Sequence, residues 1–112
     1  MPWLEDVVRV ADQVADWAPP DLTLERSEGF APNVPLLQWS RNGKRLYLEP
    51  AKWAQGEQPT AVDLWSSRGP RVRFMGPSAD GTWRVITSDL VEMHVNWNRQ
   101  GIETLFNDLL AV

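Results

Sequence analysis

Two alternating runs of apolar and polar residues meet at Asn42-Gly43, and this pattern predicts a β-hairpin over residues 34–49. A type I′ turn needs positive φ at both central residues, which Asn tolerates and which Gly adopts readily because it has no Cβ. The turn sets a register that pairs Arg41 with Lys44, Ser40 with Arg45, Trp39 with Leu46, Gln38 with Tyr47 and Leu37 with Leu48. Successive side chains point to opposite faces of a strand, so Trp39, Leu46 and both leucines of the last pair share one face.

Apolar residues at helical spacing predict a helix near each end of the chain. The first covers residues 2–18 and ends at Pro19-Pro20, whose ring nitrogens cannot donate to a helical ladder. The second covers residues 99–110, and Asn98 is a suitable N-cap for it. The apolar stripes are Trp3, Val7, Val10, Val14 and Trp17 in the first helix, and Ile102, Leu105, Phe106, Leu109 and Leu110 in the second.

Shorter alternating runs, separated by turn residues, predict further strands of an antiparallel meander. They lie at residues 22–26, 61–66, 71–75 and 82–87. Residues 90–97 also predict a strand, because their apolar and polar side chains fit period 2 better than period 3.6. Residues 29–35 are predicted to form a loop, and residues 50–60 a connection that has room for one helical turn.

The predicted order is therefore helix, five to seven antiparallel strands, helix. Two amphipathic helices need an apolar sheet face to cover, so the simplest arrangement is a two-layer α+β sandwich with both helices on one face. The length fits a single domain over residues 1–112, and no repeat or linker divides it. The side chains expected to face the helices are Val62, Leu64, Val72, Phe74, Trp83 and Val85.

The composition limits the function classes without naming one. The chain contains no cysteine, which excludes disulfides, thiolate chemistry and cysteine-based zinc sites. Its 43% hydrophobic and 23% charged residues are typical of a folded domain, and seven tryptophans supply much of the apolar area. No run approaches the roughly 18 apolar residues of a membrane helix, and the N-terminal residues do not resemble a signal peptide. We expect a cytoplasmic protein that does not bind a membrane.

The net charge of −4 is distributed unevenly along the chain. Residues 1–30 carry seven acidic and two basic side chains, and residues 85–112 carry four acidic and one basic. Residues 41–84, in contrast, carry eight basic and four acidic side chains. The middle of the chain is therefore basic and both ends are acidic. Since the whole molecule is negative, long-range attraction to a phosphate backbone is not expected.

The catalytic inventory is small. His94 is the only histidine, and Glu92 lies two residues before it, so both would point to the same face of a strand. A carboxylate beside an imidazole can serve acid–base chemistry. Residues 76–81 lack the Gly-Lys-Ser/Thr ending of a phosphate loop, and Asp80 would repel phosphate. We expect no enzymatic activity, no metal and no cofactor, and a hydrolase using Glu92 and His94 is the least favoured interpretation.

The sheet face away from the helices carries the candidate site. It combines aromatic and arginine side chains, namely Arg45, Tyr47, Trp65, Arg71, Arg73 and Arg84, with Asp63, Met75 and Ile86. Trp65 is expected among the arginines at positions 71, 73 and 84, with Tyr47 nearby if the strands at 44–49 and 61–66 pair. Arg stacks on aromatic rings and forms bidentate pairs with carboxylate or phosphate, and Trp, Tyr and Arg dominate interface hot spots.

Three interpretations of this face remain open. In the first, the face satisfies itself, because Asp63 pairs with an arginine and arginine stems cover Trp65. In the second, which we favour as a function, the chain is a non-enzymatic domain that binds another protein or a second copy of itself, as in a homodimer. In the third, the same face binds a small ligand or nucleic acid, although the Gly/aromatic strand signature of RNA-binding sheets is absent.

Overall fold

The order of elements follows the hydrophobic pattern from one end of the chain to the other. In the computed structural model, residues 2–26, 36–51 and 60–111 are described. Their elements are α1 (Pro2–Trp17), β1 (Thr23–Arg26), β2 (Leu37–Arg41), β3 (Lys44–Pro50), β4 (Thr60–Ser66), β5 (Arg71–Gly76), β6 (Arg84–Thr87), β7 (Glu92–Met93) and α2 (Arg99–Leu110).

The strands of the described residues lie in one seven-stranded sheet in chain order. Every neighbouring pair is antiparallel. Antiparallel neighbours can be joined by tight reversals, which is why clusters of turn residues in the sequence locate the strand ends. The predicted α+β class, with both helices on one face, is confirmed. The described residues form seven strands, which is the upper limit of the predicted range of five to seven.

The hairpin at Asn42-Gly43 has the predicted register at every pair from Leu37↔Leu48 to Arg41↔Lys44. Asn42 has φ of 52° and Gly43 has φ of 80°. Both central residues therefore occupy the left-handed region that a type I′ turn requires. Because this turn fixes the register, it also decides which side chains of β2 and β3 face the core.

Replacing Gly43 with valine should destabilise the protein through the backbone alone. A Cβ added to Gly43 meets no atom within 4 Å, but a β-branched residue adopts its φ of +80° only under strain. We expect the free energy of unfolding to fall by about 1–2 kcal/mol. Gly43→Asn is the matched control and should lose less, since Asn tolerates this region. Urea unfolding followed by circular dichroism measures both, and a valine variant as stable as wild type would contradict the type I′ turn.

The hydrophobic core lies between the sheet and the two helices. All six side chains expected to face the helices are buried in one cluster, although Trp83 lies just before β6, which begins at Arg84. The buried helix residues in the same cluster are Val7, Val10, Ala11 and Val14 of α1, and Ile102, Leu105, Phe106, Leu109 and Leu110 of α2. Burial of apolar area contributes about 25 cal/mol per Å², so this one cluster holds both helices on the same face.

Polar contacts fix the start of α2 against the end of α1. The Asn98 side chain accepts a hydrogen bond from the N–H of Gly101 at 2.8 Å, as expected of the N-cap. The Arg99 guanidinium donates to the backbone carbonyl of Asp16 at 2.7 Å. A cation is favourable there, because the last carbonyls of α1 form the negative end of its dipole. Trp97 Nε1 donates to Gln13 at 2.9 Å and ties the preceding segment to α1 as well.

The strand predicted over residues 90–97 is wrong in its extent. Only the two residues of β7 pair with β6, and residues 94–97 continue outside the sheet. The alternation in the sequence appears instead as alternation in burial, with the polar side chains exposed and three apolar ones packed against the core: Met93, Val95 and Trp97. Period 2 thus indicates an extended segment with one buried side, and it does not require a pairing partner.

The connection predicted at residues 50–60 is shorter than expected. β3 continues through Pro50 and β4 already begins at Thr60. Residues 52–59, where the helical turn was predicted, lie outside the described residues, and so does the loop predicted at residues 29–35.

Candidate binding face on the outer side of the sheet

The side of the sheet turned away from the helices, which we call the outer face, collects the predicted site residues. They belong to four adjacent strands: Arg45, Tyr47 and Glu49 of β3, Asp63 and Trp65 of β4, Arg71, Arg73 and Met75 of β5, and Arg84 and Ile86 of β6. None of them belongs to the core cluster that holds the helices. Their common side follows from the alternation of side chains along each strand.

Asp63 is the electrostatic centre of the outer face. Its carboxylate accepts hydrogen bonds from Arg73 at 2.7 Å and 3.1 Å, and from Nη1 of Arg71 at 3.2 Å. The Asp63 side chain is only 5% exposed, and a buried carboxylate is costly unless it is paired. The expected pairing of Asp63 with an arginine is therefore confirmed.

An aromatic pair lies next to this ion cluster. Tyr47 and Trp65 are opposite each other on β3 and β4, and their rings stack with centroids 4.3 Å apart and planes 28° apart. Trp65 Nε1 donates to Glu49 at 3.0 Å, and the Arg71 guanidinium carbon lies 5.6 Å from the centre of the Trp65 ring. Both rings are half-buried. The pair therefore presents a flat, partly exposed aromatic surface that is flanked by one cation.

The Asp63 ion pairs of the described residues include neither of the other two predicted arginines, Arg84 and Arg45. Arg84 is opposite Met75, and its guanidinium donates to Glu92 at 3.0 Å. The expectation that Trp65 lies among three arginines is thus wrong for Arg84, because β5 separates β6 from β4 and an acidic partner on β7 binds Arg84. Arg45 is exposed, and no acidic group of the described residues pairs with its guanidinium.

Glu92 and His94 differ from the strand pair that the sequence suggested. β7 ends at Met93, so His94 follows the strand, while Glu92 is bound to Arg84. This hydrogen bond, more than the charges of Arg84 and His94, holds the pKa of Glu92 below its ordinary value. Such a carboxylate is suited to an ion pair more than to proton donation. His94 lines a groove of about 290 Å³ between this segment and α2.

A second cavity, of about 220 Å³, opens on the outer face where β5 begins and β6 ends. Its lining includes Asp63, Arg71, Arg73, Thr87, Ser88 and Leu90. Alternation along the strands located its arginines but not the residues at 88 and 90, which fall in a turn. The sequence feature that could have located Leu90 is its place as an apolar residue directly after the polar Ser88-Asp89 pair. In the structure, Leu90 is 76% exposed.

A comparison of the chain with protein-family models, with curated proteins and with solved structures finds no match. Neither helix of the described ranges has the length and apolar character needed to cross a membrane. Within the same ranges, no three His, Asp or Glu side chains are grouped so that they could hold a metal ion. A function must therefore be proposed from the geometry and charge of the outer face itself.

Proposed function

We propose that this chain is a non-enzymatic binding domain whose outer face recognises an acidic segment of another protein. The observation that carries the proposal is the stacked Tyr47–Trp65 pair beside Arg71, half-buried on a face that the core cluster does not include. Trp, Tyr and Arg are the residues whose truncation costs most at protein interfaces. A rigid aromatic pair also offers contact area with little loss of side-chain entropy.

The charge of the outer face favours an acidic partner. Among the described residues of β3 to β7, the outer face carries four arginines and three carboxylates, Glu49, Asp63 and Glu92. Arg45 is exposed, and the Arg71 side chain is 45% exposed. An acidic group arriving at these guanidinium groups would form charge-assisted hydrogen bonds. The carboxylates already present on the face weaken the case for nucleic acid, which would bring many like charges close to them.

A second copy of the chain is a weaker candidate than a different protein. Two outer faces related by a twofold axis would bring together two surfaces with the same set of charges. The acidic side of α1, with exposed Glu5, Asp12 and Asp16, could meet the outer face of a neighbour, but that head-to-tail contact gives a closed assembly only if its rotation generates a ring. The cytoplasm remains the compartment that we expect for both proteins, on the composition of this chain alone.

Selection from a display library of short random peptides tests the proposal. Wild type should enrich sequences that combine Asp or Glu with an aromatic or aliphatic residue. The double variant Trp65→Ala with Arg45→Glu should bind the enriched peptides at least about tenfold more weakly, since two hot-spot contacts are lost. Arg73 is left intact, because reversing its charge would place two carboxylates together at Asp63.

Val8→Ser is the matched control, since Val8 is an exposed apolar residue on α1, in the layer opposite the outer face. It should bind the enriched peptides like wild type. Enrichment of the same peptides by the double variant, or no enrichment by wild type, would refute the proposal. Sedimentation velocity tests the alternative that the partner is a second copy of the chain. If wild type is a dimer and the double variant is a monomer, the outer face binds a second copy.

A further inference from the structure

β1 is an edge strand of the sheet, and one of its sides is open. Among the described residues it pairs only with β2, and all four of its residues, Thr23–Arg26, are exposed. No proline or bulge interrupts the strand, although such features commonly block an open edge. The strand at the other end of the sheet, β7, has only two residues. β1 is therefore the longer of the two edges to which a further strand could be added.

The register of the hairpin shows which backbone groups of β1 point outward. The residue pair that flanks the two-residue turn is hydrogen-bonded, and such pairs alternate with non-bonded pairs along an antiparallel ladder. By this alternation Trp39 bonds to β3, and its two neighbours on β2 bond to β1, opposite Thr23 and Glu25. The backbone N–H and C=O groups of Leu24 and Arg26 therefore point to the open side. In the described part of the chain these groups have no partner.

The Leu24 side chain adds an apolar contact to the open edge. It lies on the helix-facing side of the sheet, because it is opposite the buried Trp39. It is nevertheless 37% exposed, and it lines a cavity of about 280 Å³ together with Leu22, Pro19 and Pro20. The chain itself thus leaves part of an inward-facing leucine in contact with solvent.

We propose that β1 pairs antiparallel with β1 of a second copy of the chain, about a twofold axis that passes through Leu24. Each Leu24 would exchange N–H···O=C hydrogen bonds with Leu24 of the other copy, and the two side chains would pack against each other. A twofold contact closes after two copies, and this one joins the two sheets into a single continuous sheet.

The register with Leu24 on the axis is the one that fits the residues of the edge. It places Thr23 opposite Glu25 of the other copy, so no like charges are opposite each other along β1. With Glu25 on the axis, two glutamates would be opposite, which destabilises the pairing. With Thr23 on the axis, Arg26 would lie opposite Pro20, which has no N–H to donate. This self-complementarity is the reason for assigning a second copy to the edge in place of an unrelated strand.

The pairing leaves the outer face free in both copies. Opposite residues of neighbouring strands point to the same side of a sheet, so the two outer faces would lie on one side of the joined sheet. The dimer would thus present two Tyr47–Trp65 pairs to one partner, and only this consequence rests on the proposed function.

Sedimentation velocity of the whole chain, over a concentration series from micromolar to millimolar, tests the dimer. Wild type should pass from monomer to dimer within this series, since a short edge gives a small interface. Leu24→Pro removes the outward N–H and leaves the hydrogen bonds to β2 in place, which is where an edge strand tolerates proline. This variant should dimerise at least about tenfold more weakly, because two hydrogen bonds and an apolar contact are lost.

Two further variants keep this comparison informative. Leu24→Lys retains the backbone N–H but places two like charges on the axis, so it should also be monomeric, and it replaces Leu24→Pro if that variant does not fold. Leu90→Gly is the matched control, because it removes a more exposed leucine from the turn between β6 and β7. It should dimerise like wild type.

Amide hydrogen exchange followed by ¹H–¹⁵N NMR locates the contact on the strand. The Leu24 amide should exchange several-fold more slowly at the highest protein concentration than at the lowest, because only the dimer protects it. The Thr23 amide is bonded to β2 within one chain, so its exchange should change much less.

Wild type that stays monomeric throughout the series would overturn the proposal. A dimer that Leu24→Lys or a folded Leu24→Pro forms as readily as wild type, or in which exchange at Leu24 does not depend on concentration, would overturn it as well. The two proposals fail in different ways. The edge dimer should persist in the double variant Trp65→Ala with Arg45→Glu, and a dimer lost there would place the contact on the outer face and overturn the edge. Peptides selected through the outer face should still bind Leu24→Pro, whether or not the edge dimer exists.

Discussion

Replacing Trp39 with alanine should lower the free energy of unfolding by about 3–5 kcal/mol, the range measured for large aromatic residues in cores. Trp39 is 1% exposed, and it meets Phe106 of α2 edge to face with ring centroids 4.8 Å apart. Its loss leaves a cavity at the contact between the sheet and α2. A domain of this size is stable by about 5–15 kcal/mol, so a large part of that stability would disappear. Guanidinium unfolding followed by circular dichroism gives the value.

Trp65→Ala is the matched control for this variant, because it removes the same side chain from the other face of the sheet. Trp65 is half-buried, stacks on Tyr47, donates one hydrogen bond and lies beside the Arg71 guanidinium. Its removal should cost about 1–2 kcal/mol, from the loss of these contacts. If the Trp39→Ala variant is too unstable to measure, Trp39→Phe is a milder substitution whose free energy of unfolding can be measured in its place. Equal losses for Trp39→Ala and Trp65→Ala would contradict the assignment of the two faces.

Gly101→Ala should destabilise the protein by about 1–3 kcal/mol, although the same change in an ordinary helix stabilises by about 1 kcal/mol. The reason is close approach of the backbone. A Cβ on Gly101 would lie 2.8 Å from the carbonyl carbon and 3.0 Å from the nitrogen of Asn96, with the carbonyl oxygen nearer still. Because these are backbone atoms, rotation of a side chain cannot relieve the clash. Urea unfolding at a fixed pH measures the change.

Thr104→Ala is the control for helix propensity, since Thr104 is exposed one turn further along α2. It should leave the stability unchanged or raise it by about 0.5 kcal/mol, because β-branched residues are weaker helix formers than alanine. A Gly101→Ala variant that gains stability as Thr104→Ala does would show that residues 94–97 do not lie against the start of α2.

The candidate site was predictable in its membership but not in its contacts. Side chains alternate between the two faces of a strand, because the backbone is extended. This rule alone placed Arg45, Tyr47 and Trp65 on the same face of the sheet. The partner of Arg84 was not predictable from that rule. Glu92 belongs to a strand that pairs for only two residues, and its position depends on where β7 lies beside β6.

Long-range polar contacts show the same limit. Arg41 donates to the Asp21 carboxylate at 2.9 Å and to Asn107 at 2.9 Å, although these partners are 20 and 66 residues away in the chain. The hydrogen bond from Arg41 holds the pKa of Asp21 below its ordinary value of 3.8. No local pattern marks these three residues as neighbours. Their contact exists because the hairpin, the segment between α1 and β1, and α2 come together in the folded chain.

The sequence by itself determined the features that a short stretch of backbone can enforce: the type I′ turn and its register, the bounds and N-cap of α2, and the side chains of each face. These follow from periods of 2 and 3.6 residues and from the φ preferences of Asn and Gly. Only the tertiary structure decided the rest, including the end of β7, the close approach at Gly101 and the exposure of Leu90. Those features depend on the distance between elements that are far apart in the chain, and packing of the whole core sets that distance.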